Sequence, residues 1–207
     1  MVRNVIGSLG LLLFMAALAP AALSAQDGLV VGDTKVFDKV SDRATVDDRV
    51  VKDISGIAHH PLAPGEKMAS VLIFYGQDCP VSNSYAPEIN RIAEVFTNCA
   101  FYIVQVDPDL KLEAAKEHAR QYALRPPVLL DPRHELVRRT GATVTPEAVV
   151  IGKDGGVVYR GRIDDLYVEP GKKRSSATSH DLRHALETIQ TGHPAKPKET
   201  KAVGCLI

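Results

Sequence analysis

The chain carries no excess of charge of either sign. Its 25 lysines and arginines balance 25 aspartates and glutamates, for a formal charge of zero. That balance argues against a nucleic-acid binder, so no nucleic-acid partner is expected. Cysteine is scarce: three in 207 residues. The odd number leaves at least one thiol free or paired outside the chain. No two cysteines form a C-x-x-C pair, and none follows the apolar N-terminal run, which argues against a lipoprotein.

What is present begins with that run. Arg3 supplies a positive start, Val5 to Leu18 is apolar and uncharged, and Pro20 to Ala25 offers small residues for cleavage. Residues 1–25 are therefore predicted to be a signal peptide cut after Ala25. The expectation is an exported protein, periplasmic or extracytoplasmic, where disulfides persist. Left uncut, the segment nearly spans a bilayer, and only then is a membrane a partner. Cleavage leaves a formal charge of −1, because Arg3 is the segment's one charged residue. About 180 residues remain, enough for one domain with a real core.

Residues 26–191 form the predicted domain. Gly28 to Pro64 is polar and turn-rich, with strand-like pieces at Thr34 to Phe37 and Arg49 to Val51, and reads as a hairpin-like extension. Val71 to Tyr75 is apolar, short and β-branched, which predicts a buried central strand. A helix follows, capped by Ser82 or Asn83 and running to about Thr97, with Ile89, Ile92, Ala93 and Phe96 on its core face and Pro87 kinking it. Phe101 to Val106 and Val128 to Leu130 read as strands, and Leu112 to Tyr122 and His134 to Thr140 as helices. Ala148 to Ile151 and Val157 to Tyr159 form a hairpin around Asp154-Gly155. Ser179 caps a last helix, His180 to Gln190. Residues 192–207, rich in Pro and Lys, are expected to be a flexible tail. Alternating strands and helices predict an α/β domain with helices on both sheet faces.

Cys79 stands where the central strand meets a helix. The helix dipole and unpaired N–H groups there favour a thiolate, the reactive form of the thiol. Pro80 suits a first helical turn, where its missing N–H costs nothing. Asp78 works against the thiolate by placing a negative charge beside it.

The strand, the stretch Asp78-Cys79-Pro80-Val81-Ser82, a helix containing Pro87, and Thr145-Pro146 before Ala148 to Ile151 occur in an order that resembles the thioredoxin-like redoxins. These belong to the alkyl hydroperoxide reductase/thiol-specific antioxidant superfamily, and the resemblance covers Gly28 to Gly192. It implies a thioredoxin-like fold: a central mixed β-sheet flanked by helices, with an N-terminal extension and a strand–helix insert between Phe101 and Thr140. It further implies that Pro146 is a cis-proline facing Cys79, and that Thr145 and Pro146 dock the substrate. The chain departs from thioredoxin at Ser82, which stands where a second cysteine would be, and in having no Trp before Cys79. It departs from the peroxiredoxin signature at Gly76, where that signature has Thr.

A partner for Cys79 has to come from elsewhere. Cys99 follows the helix that Cys79 starts, about 30 Å away at a helical rise, against the roughly 7 Å that a disulfide allows. It is expected to be a core residue. Cys205 lies on a tail that reaches up to about 45 Å from Gly192. It can close on Cys79, pair with Cys99, or stay free. His134 together with Cys79 resembles half of a copper-chaperone site, but one thiolate is a poor soft-metal site. The loop pair His59-His60 and the helical pair His180 and His184 lack a third ligand. No metal and no organic cofactor are expected.

These observations predict an exported thiol–disulfide oxidoreductase-like redoxin with Cys79 as nucleophile and Cys205 as the second catalytic thiol. Asp78, Pro80 and Ser82 neighbour the site. The partner is a protein or small-molecule disulfide or thiol. The alternatives are a thiol peroxidase and a non-enzymatic redox or copper-binding module.

Overall fold

In the computed structural model, which describes residues 49–192 and 198–207, a short hairpin pairs β1 (Val51–Lys52) with β2 (Ala58–His59). The signal segment and the strand-like piece at Thr34 to Phe37 lie outside the described residues. His59 is not part of an exposed loop pair. It sits on β2, meets the Asp53 carboxylate at 2.9 Å, and stacks edge-on with Tyr102. Asp53 also accepts the Ser55 and Ile57 N–H groups, which shapes the hairpin turn.

All six residues of β3 (Ser70–Tyr75) are buried. Val71, Ile73 and Tyr75 enter one apolar cluster, and Leu72 and Phe74 enter another on the opposite face. A strand covered on both faces needs apolar side chains of both parities, which is why it reads as a continuous run rather than an alternation. Helix α1 (Pro80–Val95) follows. Its N-cap is Cys79, three to four residues before the expected Ser82 or Asn83. Cys79 has extended backbone angles, its carbonyl accepts the Asn83 N–H at 3.0 Å, and Pro80 takes the first turn. The helix runs through Pro87 and ends at Val95.

Strand β4 (Ala100–Gln105), helix α2 (Leu112–Gln121), β5 (Val128–Leu130) and helix α3 (Glu135–Thr140) come next. The short β6 (Val144–Thr145) leads into β7 (Glu147–Ile151) and β8 (Val157–Gly161). A second hairpin, β9 (Tyr167–Glu169) with β10 (Lys172–Lys173), precedes helix α4 (Asp181–Gln190). Ser179 does not cap α4 on its backbone. Its hydroxyl bonds the Asp181 carboxylate at 3.0 Å, and His180 holds the N-cap position.

The tail expected to be flexible pairs with the domain. Lys198–Glu199 forms β11, parallel to β8, and Cys205–Leu206 forms β12, antiparallel to β6. Thr200 fixes the turn between them: its N–H reaches the Arg160 carbonyl, and its hydroxyl meets Tyr159 at 2.7 Å and the Arg162 N–H at 3.1 Å. Gly161 makes this possible. Its φ is +149°, and a Cβ there would lie 2.2 Å from the Thr200 hydroxyl.

The central sheet has six strands in the order β11-β8-β7-β3-β4-β5. β3, β4 and β5 run parallel, and β7 runs antiparallel to β3. Side chains of α1 and α4 (Ile89, Ile92, Leu182, Leu186) fill one face, and Leu136 and Val137 of α3 the other. The architecture is a thioredoxin-like α/β fold with a mixed central sheet. No helix among the described residues is long and apolar enough to cross a membrane.

Candidate active site

Three elements converge at the carboxyl end of β3: the start of α1, the β6–β7 corner and β12. The Thr145–Pro146 peptide bond in that corner is cis. Cys79, 3% exposed, lies against it, and as a thiol donates to the Thr145 carbonyl at 3.2 Å. The Cys205 sulfur approaches the Cys79 sulfur at 2.8 Å, with both cysteines free. Strand pairing sets this approach, because Cys205 sits directly across from Thr145.

Burial pushes the Cys79 thiol up. Hydrogen bonds from the Cys205 thiol, the Ser82 hydroxyl and the backbone N–H groups of both residues outweigh it and bring the group down to about 7. The Cys205 thiol, which keeps its proton to donate, is pushed up to about 11 by that bond, with burial adding to it. The contact therefore acts in opposite directions on the two thiols, favouring the ionised form of Cys79 and the protonated form of Cys205. Ser82, fully buried, stands where thioredoxins have a second cysteine, and its hydroxyl and N–H are among the groups that lower the Cys79 thiol. Asp78 and Pro80 are exposed. Burial, rather than the Asp78 charge, is the leading upward push on Cys79. Gly76 packs closely against the corner. A Cβ there would lie 3.0 Å from the Thr145 hydroxyl and 3.2 Å from the Cys79 Cβ, so a larger residue requires the corner to shift.

Cys99 lies elsewhere, buried in the core, where loss of solvent raises its thiol to about 11. His134 does not join Cys79; its Nε2 meets the Val106 carbonyl at 2.7 Å. His184 is near Glu187, and His180 heads α4. Arg160, in β8, pairs with Glu199 and the Gly141 carbonyl, and Arg162, just after the strand, with Asp181. Leu206 is 87% exposed, whereas Ile207 packs against the second cluster.

Two polar groupings escaped the sequence reading. Beneath the start of α1, the Asn83 side-chain oxygen accepts from Tyr75 Oη at 3.1 Å and lies 2.9 Å from His118 Nε2, while its amide donates to the Gln77 carbonyl. His118 Nδ1 is 3.2 Å from the Gln105 amide. Burial lowers the pKa of His118, which favours the neutral ring, and the Asp78 charge opposes that shift. Beside Pro146, Tyr85 donates to Asp164 at 2.5 Å, and Ser84 meets the Tyr167 hydroxyl at 2.9 Å. Tyr85, Pro146, Arg162, Tyr167 and Val203 line a small cleft there. Glu147, directly after Pro146, is buried and accepts the Thr143 N–H at 2.7 Å; burial raises its carboxyl. The spacing of these residues gave no signal, because their partners lie between 4 and 83 positions away.

Residues 57–160 match the family model described as the AhpC/TSA family. The thiol-disulfide oxidoreductase ResA of Bacillus thuringiensis is 29% identical over 87 residues, which cover 42% of this chain and 50% of that protein. The chain thus spans about half the length of the curated relatives it matches. An uncharacterized conserved protein from Geobacillus kaustophilus superposes with a TM-score of 0.64 at 22% identity, covering 78% of this chain and 88% of that one. A secreted Mycobacterium tuberculosis disulfide oxidoreductase homologous to Escherichia coli DsbE superposes with a TM-score of 0.50 at 19% identity, covering 68% and 96%. At these identities the two structures speak for the fold.

Proposed function

The chain belongs to the AhpC/TSA family, and from that premise we propose that it is a thiol–disulfide oxidoreductase whose redox pair is Cys79 and Cys205. The observation that carries the reading is the 2.8 Å approach of the two sulfurs, with Cys79 lowered to about 7 and Cys205 raised to about 11. Cys79 thiolate attacks one sulfur of a substrate disulfide. The substrate S–S bond breaks, its distal half leaves as a thiolate, and a mixed disulfide forms on Cys79. Cys205, after losing its proton, attacks the Cys79 sulfur. The second substrate half leaves as a thiolate, and a Cys79–Cys205 disulfide remains. Two electrons have passed to the substrate, and an external dithiol returns them. Run backwards, the same steps oxidise a dithiol. Thr145 and Pro146, against which the reacting sulfur lies, hold the partner, a protein or small-molecule disulfide or thiol.

The apolar segment before Ala25 supports export, which places the pair where disulfides persist. The similar Mycobacterium tuberculosis protein is described as secreted and as a disulfide oxidoreductase, in line with both parts of the reading.

The test is thiol mapping by mass spectrometry after mild oxidation, together with disulfide-exchange kinetics of Cys79→Ser. The expected results are a Cys79–Cys205 bridge in the parent chain and loss of exchange in the variant with the fold unchanged. A Cys99–Cys205 bridge, or undiminished exchange by Cys79→Ser, refutes the assignment. Cys79 recovered as sulfenic acid, with turnover on peroxide and none on disulfides, moves the activity to peroxide reduction.

A further inference from the structure

Strand β6 belongs to a two-stranded sheet whose other member is β12. Cys205 lies across from Thr145 and Leu206 across from Val144, and the Ile207 N–H donates to the Thr143 carbonyl at 3.1 Å. An edge whose N–H and C=O groups are already used cannot add a further strand there. The contact is also unusually close. A Cβ built on Gly204 would lie 1.9 Å from the Thr145 carbonyl oxygen, 2.6 Å from its carbonyl carbon and 3.1 Å from the Pro146 nitrogen. No side chain fits at that position, so glycine is required by backbone approach. Leu206, in contrast, points to solvent. Backbone pairing, a cysteine at the nucleophile and a missing Cβ hold the strand, much as a docked peptide would be held.

We infer that the edge at Thr145 takes an extended peptide in which glycine directly precedes the cysteine, and that Gly204–Cys205 is a resident copy which an external peptide must displace. The inference rests on Cys79 being the nucleophile, as proposed above, and adds the substrate's shape. In the exchange step Cys79 thiolate bonds to the peptide's cysteine sulfur, the peptide's own S–S bond breaks, and the other half leaves as a thiolate. A small disulfide brings no strand and does not compete for the edge.

The experiment uses the full chain carrying Cys205→Ser, which traps mixed disulfides on Cys79. Rates of adduct formation are measured by intact mass with three probes. One is the symmetric disulfide of the peptide Lys-Ala-Val-Gly-Cys-Leu-Ile. The second is the same peptide with alanine in place of glycine. The third is cystamine. Adding Gly204→Val expels the strand. The peptide-to-cystamine rate ratio is then expected to rise about 30-fold, or roughly 2 kcal/mol at 1.4 kcal/mol per tenfold. Taking the ratio cancels any change in the thiol's own reactivity. In the expelled form the glycine peptide is expected to outpace the alanine peptide at least tenfold, roughly 1.4 kcal/mol. A chain ending at Val203 gives the same results without a bulky side chain at the corner. A flat ratio in both variants, or equal rates for the two peptides, overturns the inference and leaves Cys79 as the nucleophile. A Cys79 inert to cystamine and to both peptides overturns the proposed function, and this inference with it.

Discussion

Replacing Cys205 with alanine removes the donor that faces the Cys79 sulfur at 2.8 Å. A hydrogen bond to a charged acceptor contributes about 1.5–3 kcal/mol, which is roughly 1–2 pH units at about 1.36 kcal/mol per unit. Cys79 is therefore expected to move from about 7 to roughly 8–9 in Cys205→Ala. At pH 7 its thiolate fraction falls from about half to roughly 1–10%. The assay is ultraviolet thiolate absorbance against pH, paired with iodoacetamide labelling mapped to Cys79. Cys99, raised to about 11 by burial, stays silent over this range. The substitution also uncovers Cys79, which is 3% exposed in the parent chain. The two effects separate cleanly: the labelling plateau at high pH reports access, and the midpoint reports the lost donor. A midpoint displaced by less than about 0.3 unit, small beside one hydrogen bond, refutes the idea that Cys205 holds the thiolate.

The same thiols set a pH profile for stability. Cys79 is lowered in the fold, so its stabilisation is present above the unfolded thiol value near 9 and is lost as pH falls through about 7. Cys205 and Cys99 are raised, so above 9 the unfolded chain ionises where the folded one does not. Urea stability of the reduced protein is expected to climb from pH 7 to 9 and decline from 9 to 11; a profile that falls between 7 and 9 contradicts the assignment. Tyr85→Phe removes one of the two donors to the buried Asp164 Oδ1, the Leu166 N–H remaining, and is expected to cost about 1 kcal/mol in urea unfolding, with no loss showing that solvent replaces the hydroxyl. Gly161→Ala drives a methyl group into Thr200, costs about 1–3 kcal/mol, and is expected to loosen β11 and with it the Cys205 contact. Unchanged proteolytic resistance of the segment after Lys198 would count against that coupling.

The parts of this molecule readable in its sequence are those with a period or a punctuating residue. The buried run before Tyr75, the Pro80 turn and the apolar faces of α1 and α4 announce themselves by spacing. So does the hairpin at Asp154-Gly155. The helix starts earlier than its capping residues suggest: Ser82 and Asn83 are strong caps elsewhere, yet here Ser82 turns inward to the thiol and Asn83 to Tyr75 and His118. The strands of the C-terminal segment were invisible. Two-residue pieces such as Lys198–Glu199 and Cys205–Leu206 carry no alternation, and a Pro- and Lys-rich approach to them reads as tail. The Asn83–His118 contact and the Tyr85–Asp164 pair are long-range: nothing in either local window marks the partner 35 or 79 positions away.

The distance along the chain between the paired sulfurs has a consequence for biosynthesis. Cys205 follows Cys79 by 126 residues, so at roughly 5–20 residues per second Cys79 spends about 6–25 s without its partner. During that interval Cys99, only twenty positions on, is the nearer thiol. In an unfolded chain the shorter loop is favoured by about 1.6 kcal/mol of closure entropy, from the logarithm of the two loop lengths. The fold reverses this preference by burying Cys99 on the far side of α1 from its start. Folding must therefore precede oxidation. A chain oxidised in denaturant is expected to yield mainly the Cys79–Cys99 bridge, and one oxidised after refolding the Cys79–Cys205 bridge.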